Sequence, residues 1–128
     1  MNELSRRQQS ALLSLADMNL WEAVNCAPLN TVSGRFLYFK IAQQVMREGT
    51  GVQALKDLHV DAHLSERAIR LKLREFEREG WIESVTTPSD KRTRQLVVTP
   101  KLLALIQAHA QALDQSLGQA LLVIAKGH

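Results

Sequence analysis

The sequence predicts a mainly helical protein carrying one small β-hairpin, and three observations lead there. Apolar residues recur at helical spacing over most of the 128 residues. Aromatic residues make up only 5% of the chain, which suits a core of Leu, Ile, Val and Ala better than a β-sandwich. One stretch, 82–98, breaks the helical period with two strand-like runs around a turn.

At 45% apolar residues the chain can bury a core as one domain, 1–128, without staples. A formal net charge of +3 suits an anionic partner. The single cysteine, Cys26, rules out an intrachain disulfide framework. The first residues lead into an amphipathic segment rather than an apolar signal region, and no run approaches the roughly 18–20 apolar residues of a membrane span. The expectation is a soluble cytoplasmic protein with no membrane partner.

Leu4, Ala11, Leu12 and Leu15 predict a first helix over 3–19. Residues 21–33, with Asn25, Pro28 and Asn30 and with Gly34 just beyond, read as a connection. Phe36, Leu37, Ile41 and Val45 predict a second helix over 33–48, stopped by Gly49. Thr50 and Gln53 have the spacing of a capping box, and Leu55, Leu58 and Ala62 predict a third helix ending near Ala62. After a short turn at His63-Leu64, Ser65 is a good N-cap for a helix over Glu66–Glu79, closed by Gly80. Trp81–Val85 and Thr93–Val98 read as strands, with Leu96 and Val98 on one face and a turn over 86–92. Thr99 as N-cap and Pro100 at the first helical position open a last helix to about Lys126.

The helix from Glu66 carries the functional signal. At about 100° per residue, Ile69, Leu73 and Phe76 form one narrow stripe, and Arg70, Arg74, Arg67 and Arg78 lie about 100–180° from Ile69. Four arginines therefore face away from the core, interrupted by Glu66 and Glu77. Alone, such a face reads equally well as a solvated surface with charge pairs. A short helix, a tight turn and an arginine-faced second helix together make a helix-turn-helix, whose second helix enters a major groove. Arginine there can bond guanine O6 and N7 together. Leu71, apolar on this outer face, reads either as packing against a neighbouring element, the reading favoured here, or as meeting a thymine methyl. Lys91, Arg92 and Arg94 cluster on the hairpin. Basic turns are often only solvated, but beside a helix-turn-helix they read as a wing reaching phosphates or a minor groove.

Leu64-Ser65-Glu66-Arg67-Ala68-Ile69, then Phe76-Glu77-Arg78-Glu79-Gly80-Trp81-Ile82, resembles the recognition segment of MarR-type winged helix-turn-helix transcriptional regulators. Asp90-Lys91-Arg92-Thr93-Arg94-Gln95-Leu96-Val97-Val98-Thr99 resembles that family's wing, and the match covers roughly residues 35–105. Pro100-Lys101-Leu102 follows where the family commonly continues toward a glycine. The resemblance implies a homodimer on adjacent major and minor grooves, often with a small-molecule effector, whose identity here is unknown. By position it makes Arg92 the wing-tip arginine and Asp90 a structural partner of the wing arginines.

Between Leu102 and Ala125 the only charged side chain is Asp114, while Leu102, Ile106, Leu113, Leu117, Leu121 and Ile124 form a long apolar stripe, widened by Leu103, Leu105 and Leu122. A solitary surface helix would carry more charge. Pairing with a second copy is favoured over an intrachain core helix packed on helix one. The expected organisation is therefore a winged helix-turn-helix core over 33–99 with its wing at 82–98, and long dimerisation helices over 3–20 and 100–126.

His59, His63, His109 and His128 make no metal-ligand spacing with Cys26 or with carboxylates. The neighbours of Cys26 offer no base or cation, so an ordinary semi-buried thiol is expected over a redox sensor. No phosphate loop, nucleophile elbow or paired-acid motif is present. No enzyme activity and no cofactor are expected. The reading is a sequence-specific binder of double-stranded DNA, using Ser65, Arg67, Arg70 and Arg74 with the wing residues Lys91, Arg92 and Arg94. The alternatives are a winged helix serving protein interaction, and DNA binding for replication or partition.

Overall fold

A computed structural model describes residues 4–48, 65–87 and 90–126, with the side chains of all of these except 87, 90–94, 123, 124 and 126. The described chain is mainly helical with one two-stranded antiparallel sheet. Four helices, α1 (Arg6–Asn25), α2 (Val32–Glu48), α3 (Glu66–Arg78) and α4 (Pro100–Lys126), frame strands β1 (Ile82–Thr87) and β2 (Asp90–Val98). The expected helix over 50–62, its capping box, the His63-Leu64 turn and the stop at Gly49 lie outside the described residues. Two compact units divide the chain: Met1–Ala27 with Gln107–His128, and Pro28–Ile106.

In the first unit, α1 opens with a capping box. The Gln8 N–H donates to Ser5 Oγ (3.1 Å), and the Ser5 N–H donates to Gln8 Oε1 (3.0 Å). The helix runs past the expected end at 19, through Trp21 and Glu22, to Asn25. Asn25 had suggested a loop; instead its amide donates to the Trp21 carbonyl (2.9 Å). A 3₁₀ turn over Ala27–Asn30 follows, with Pro28 after the helix end, where proline commonly falls.

The face that α1 buries is polar. Ser10, Ser14, Met18 and Glu22, each four residues from the last, are its buried positions. Ser10 Oγ donates to the Ala120 carbonyl (3.4 Å), the Ser14 and Ser116 hydroxyls lie 2.8 Å apart, and His109 Nε2 meets Glu22 Oε2 at 2.8 Å. The Trp21 ring stacks on His109, with centroids 5.6 Å apart. Partner numbers on α4 fall as those on α1 rise, so the two segments run antiparallel. The leucines that predicted the first helix, Leu4, Leu12 and Leu15, point outward and are exposed, as are Leu117, Leu121 and Leu122 of α4. Helix one and the last helix thus do meet within one chain, but through serines and an ionisable pair rather than through the apolar stripe.

In the second unit, Thr31 caps α2, one residue earlier than the pattern suggested, accepting from the Gly34 N–H (3.0 Å). Gly34, Leu37, Tyr38, Ile41 and Val45 form the buried face of α2. With Ile69 and Phe76 of α3, Trp81, Ile82, Val97 and Val98 of the hairpin, and Leu102 and Ile106 of α4, they make the core. Gly34 is there for space: a Cβ would lie 2.3 Å from the Pro28 carbonyl oxygen and 2.8 Å from Thr31 Oγ1. Alanine gains about 1 kcal/mol of helix propensity over glycine, but a clash with fixed backbone outweighs it. Gly34→Ala is therefore expected to lower stability by a net of about 1–2 kcal/mol in urea unfolding. An unchanged or raised midpoint would disprove the close approach.

Both strands are longer than expected. Thr86, Thr87 and Asp90 are paired, and Lys91 and Arg92 belong to β2, rather than to a turn over 86–92, of which only 88–89 fall outside the described residues. Thr99 locks the hairpin to α4. Its hydroxyl lies within hydrogen-bond reach of the Gly80 (2.7 Å) and Trp81 (2.8 Å) carbonyls and accepts from the Leu102 N–H (3.3 Å). No helix among the described residues is long and apolar enough to cross a membrane.

Candidate nucleic-acid interface

Ser65 caps α3, its Oγ accepting from the Ala68 N–H at 3.1 Å. The hydroxyl hydrogen is not used in that bond, and the residue is exposed. At the other end Gly80 takes φ +83°, which lets its N–H donate to the Glu77 carbonyl (3.1 Å) and the Trp81 N–H to the Phe76 carbonyl (2.9 Å). This Schellman arrangement ends the helix one residue before the expected Glu79. Lys101 buttresses the corner, its Nζ 4.1 Å from the centre of the Trp81 ring and donating to the Glu79 carbonyl (2.6 Å).

Between these caps the buried side of α3 is set by Ile69 and Phe76, with Leu73 half-buried beside them. On the opposite side Arg67, Arg70, Arg74 and Arg78 are exposed. Arg67, Arg70 and Arg74 make no hydrogen bond or ion pair with another described residue. Among the described residues their guanidinium groups thus have no partner, as a surface for an anion requires.

Three acidic residues in the second half and at the end of the same helix have partners. Glu75 pairs with Lys72 at 2.5 Å. The hydrogen bond and charge of Lys72, with Arg78 adding to them, hold the Glu75 carboxyl below its usual range. That pair persists at neutral pH and is lost as pH falls through the lowered value. Glu77 accepts from the Ser84 hydroxyl of β1 (2.5 Å), and Glu79 accepts from Trp81 Nε1 (2.9 Å). Of the two carboxylates that interrupt the arginine side in the sequence, Glu77 is thus drawn to the hairpin, while Glu66 stays exposed in the first turn of the helix. The Lys72–Glu75 spacing was readable as a helical pair. The Ser84 and Trp81 tethers were not, because they depend on how the strand returns beside the helix.

Lys91, Arg92 and Arg94 lie on β2, in the half nearest the turn. Ile82 pairs with Val98 and Thr86 with Arg94, but Thr87 pairs with Asp90. Lys91, Arg92 and Thr93 therefore have no counterparts on β1, and the ladder bulges at these basic residues. α3 and the hairpin belong to one compact unit. The proposed role of Asp90 in holding the wing arginines concerns side chains outside those described.

Leu71, for which packing against a neighbour was favoured, is 49% exposed. Cys26 is fully buried rather than semi-buried. Among the described residues no three His, Cys, Asp or Glu side chains gather as metal ligands; His59 and His63 lie outside them. Along the outward side of α2 an open depression is lined by Val32, Arg35, Phe36, Phe39, Lys40 and Gln43, with Arg35 over the Phe39 ring and Lys40 over Phe36.

No model of a known protein family matches the chain, and no curated protein matches it.

Proposed function

We propose that the protein is a homodimeric, cytoplasmic winged helix-turn-helix regulator that binds specific double-stranded DNA. On this reading α3 enters the major groove and the hairpin is a wing on phosphates or the minor groove. The observation that carries it is the exposed arginine face of α3, without partners among the described residues and with Glu77 drawn aside to the hairpin, in one unit with a bulged basic strand. Arg67, Arg70 and Arg74 contact bases or phosphates, Ser65 donates to a phosphate, and Lys91, Arg92 and Arg94 serve the wing. Such a protein needs no cofactor and no catalytic group.

The test is selection of bound duplexes from a random pool at near-physiological salt. Enrichment of an inverted repeat with half-sites roughly 34–36 Å apart is the expected result. Recovery of no motif would overturn this reading and favour a protein-interaction winged helix. On the enriched duplex, Arg92→Ala should reduce the slope of log K against log salt by about 0.9. An identical slope would remove Arg92 from the phosphates.

The dimer is supported by the outward leucines of the first unit, Leu12 and Leu15 on α1 and Leu117, Leu121 and Leu122 on α4. Leu117 is 48% exposed within one chain, so a charge there does not disturb the monomer's packing. Leu117→Glu is expected to convert a sedimenting dimer to a folded monomer. A dimer that persists would take this helix out of the interface.

A further inference from the structure

Leu71 stands about 200° from Ile69 around α3, almost directly opposite the buried stripe. It is one helical turn from Arg67 on one side and from Arg74 on the other, and Arg70 precedes it. Between Met46 and Leu113, it is the only exposed large apolar side chain among the described residues. The exposed leucines of α1 and α4 form ridges, which a second protein surface can cover. Among the described residues Leu71 has no such company. Arg67 and Arg74 stand one turn to either side of it, beside Ala68 and the Lys72-paired Glu75, and a protein partner's apolar surface would have to desolvate these charges. A solitary apolar side chain in a cationic setting fits a small apolar group embedded in a polyanion. In a DNA major groove that group is the C5-methyl of thymine, the one apolar feature a base pair presents there.

We infer that Leu71 reads a thymine methyl, and that the thymine lies within about two base steps of the contact made by Arg67 or Arg74. The distance follows from the geometry: four residues of helix rise about 6 Å, and successive base pairs about 3.4 Å. This inference rests on the DNA-binding reading above. It adds to it by assigning one base, and by giving α3 a specificity element that does not depend on charge. Methyl recognition is insensitive to salt, whereas the arginine contacts weaken as salt rises.

The probe is the duplex enriched from the random pool, with deoxyuridine replacing each thymine in turn, which removes only the C5-methyl. For the wild-type protein one thymine per half-site should respond, with affinity falling about four-fold, as expected for losing one buried methyl-sized contact. Leu71→Ala should bind the unmodified duplex about as weakly as the wild type binds the deoxyuridine duplex, and should show no further loss on it. Leu71→Met should retain the discrimination. Because Leu71 is exposed, all three proteins should melt together. Insensitivity of the wild type at every thymine, or a methyl effect that survives in Leu71→Ala, would overturn the inference while leaving DNA binding intact. Failure to enrich any duplex would overturn the DNA reading itself, and this inference with it.

Discussion

Phe76→Ala should lower the unfolding free energy by about 3–5 kcal/mol, the range for truncating a fully buried aromatic side chain. Phe76 is 2% exposed and shares the buried side of α3 with Ile69. Removing the ring deletes its burial and leaves a cavity in a core whose neighbours come from α2 and the hairpin, so collapse around it is incomplete. The Phe76 carbonyl still accepts from the Trp81 N–H, since that bond belongs to the backbone. The loss is therefore one of packing, not of the helix end. Against a total stability of about 5–15 kcal/mol for a domain, this is a large share. Urea unfolding of Phe76→Ala beside Arg74→Ala, two residues away and exposed, separates core from surface. Arg74→Ala should stay within about 0.5 kcal/mol of the wild type. A Phe76→Ala loss below about 1 kcal/mol would mean that this side of α3 is not the core face.

Replacing Arg67, Arg70 and Arg74 together by alanine should reduce affinity for the enriched duplex to the non-specific level, a fall of about 10³ or more. The three guanidiniums lie on one exposed face and have no described partner to release them from. Their loss should leave melting nearly unchanged and bear on binding alone. The salt slope should shrink by about 0.9 for each phosphate no longer neutralised. The triple lysine variant divides the roles further. Lysine keeps the charge but not the planar fork that grips guanine O6 and N7, so it should retain non-specific binding and lose sequence preference. A triple alanine variant that still holds the enriched duplex within about threefold of wild type would show that α3 is not the reading element.

What the sequence made legible was what a helical wheel alone can settle. Ile69 and Phe76 against Arg67, Arg70 and Arg74 is a short-range pattern, and the Ser65 and Gly80 caps are local rules. The end of α1 was missed because Asn25 and Pro28 together look like a loop, although nothing before Asn25 breaks the helix. The hairpin's strands were cut short because Thr86 and Thr87 precede Pro88, and because Asp90-Lys91-Arg92 has little strand preference. The pairs on either side, Thr87 with Asp90 and Thr86 with Arg94, carry the strand across them as a bulge. The buried polar face of α1 was hidden for a different reason. Leucine spacing marks an apolar face, but it does not tell whether that face meets its own chain or another molecule. The ties from Glu77 to Ser84 and from Glu79 to Trp81 needed the hairpin in place.

The serine seam of the first unit has a consequence for alignment. A greasy seam tolerates slippage, because one leucine replaces another when a helix moves by a turn. Here a one-turn slide of α4 along α1 in either direction would set Ser14 against alanine, Ala112 or Ala120, and Glu22 against leucine, Leu105 or Leu113. Each buried hydroxyl left without its hydrogen bond raises the slipped state by about 1–3 kcal/mol. The seam therefore works like the teeth of a key, holding the two helices at a single setting. The outward leucines inherit that setting, so the spacing of their ridge is fixed within the chain itself.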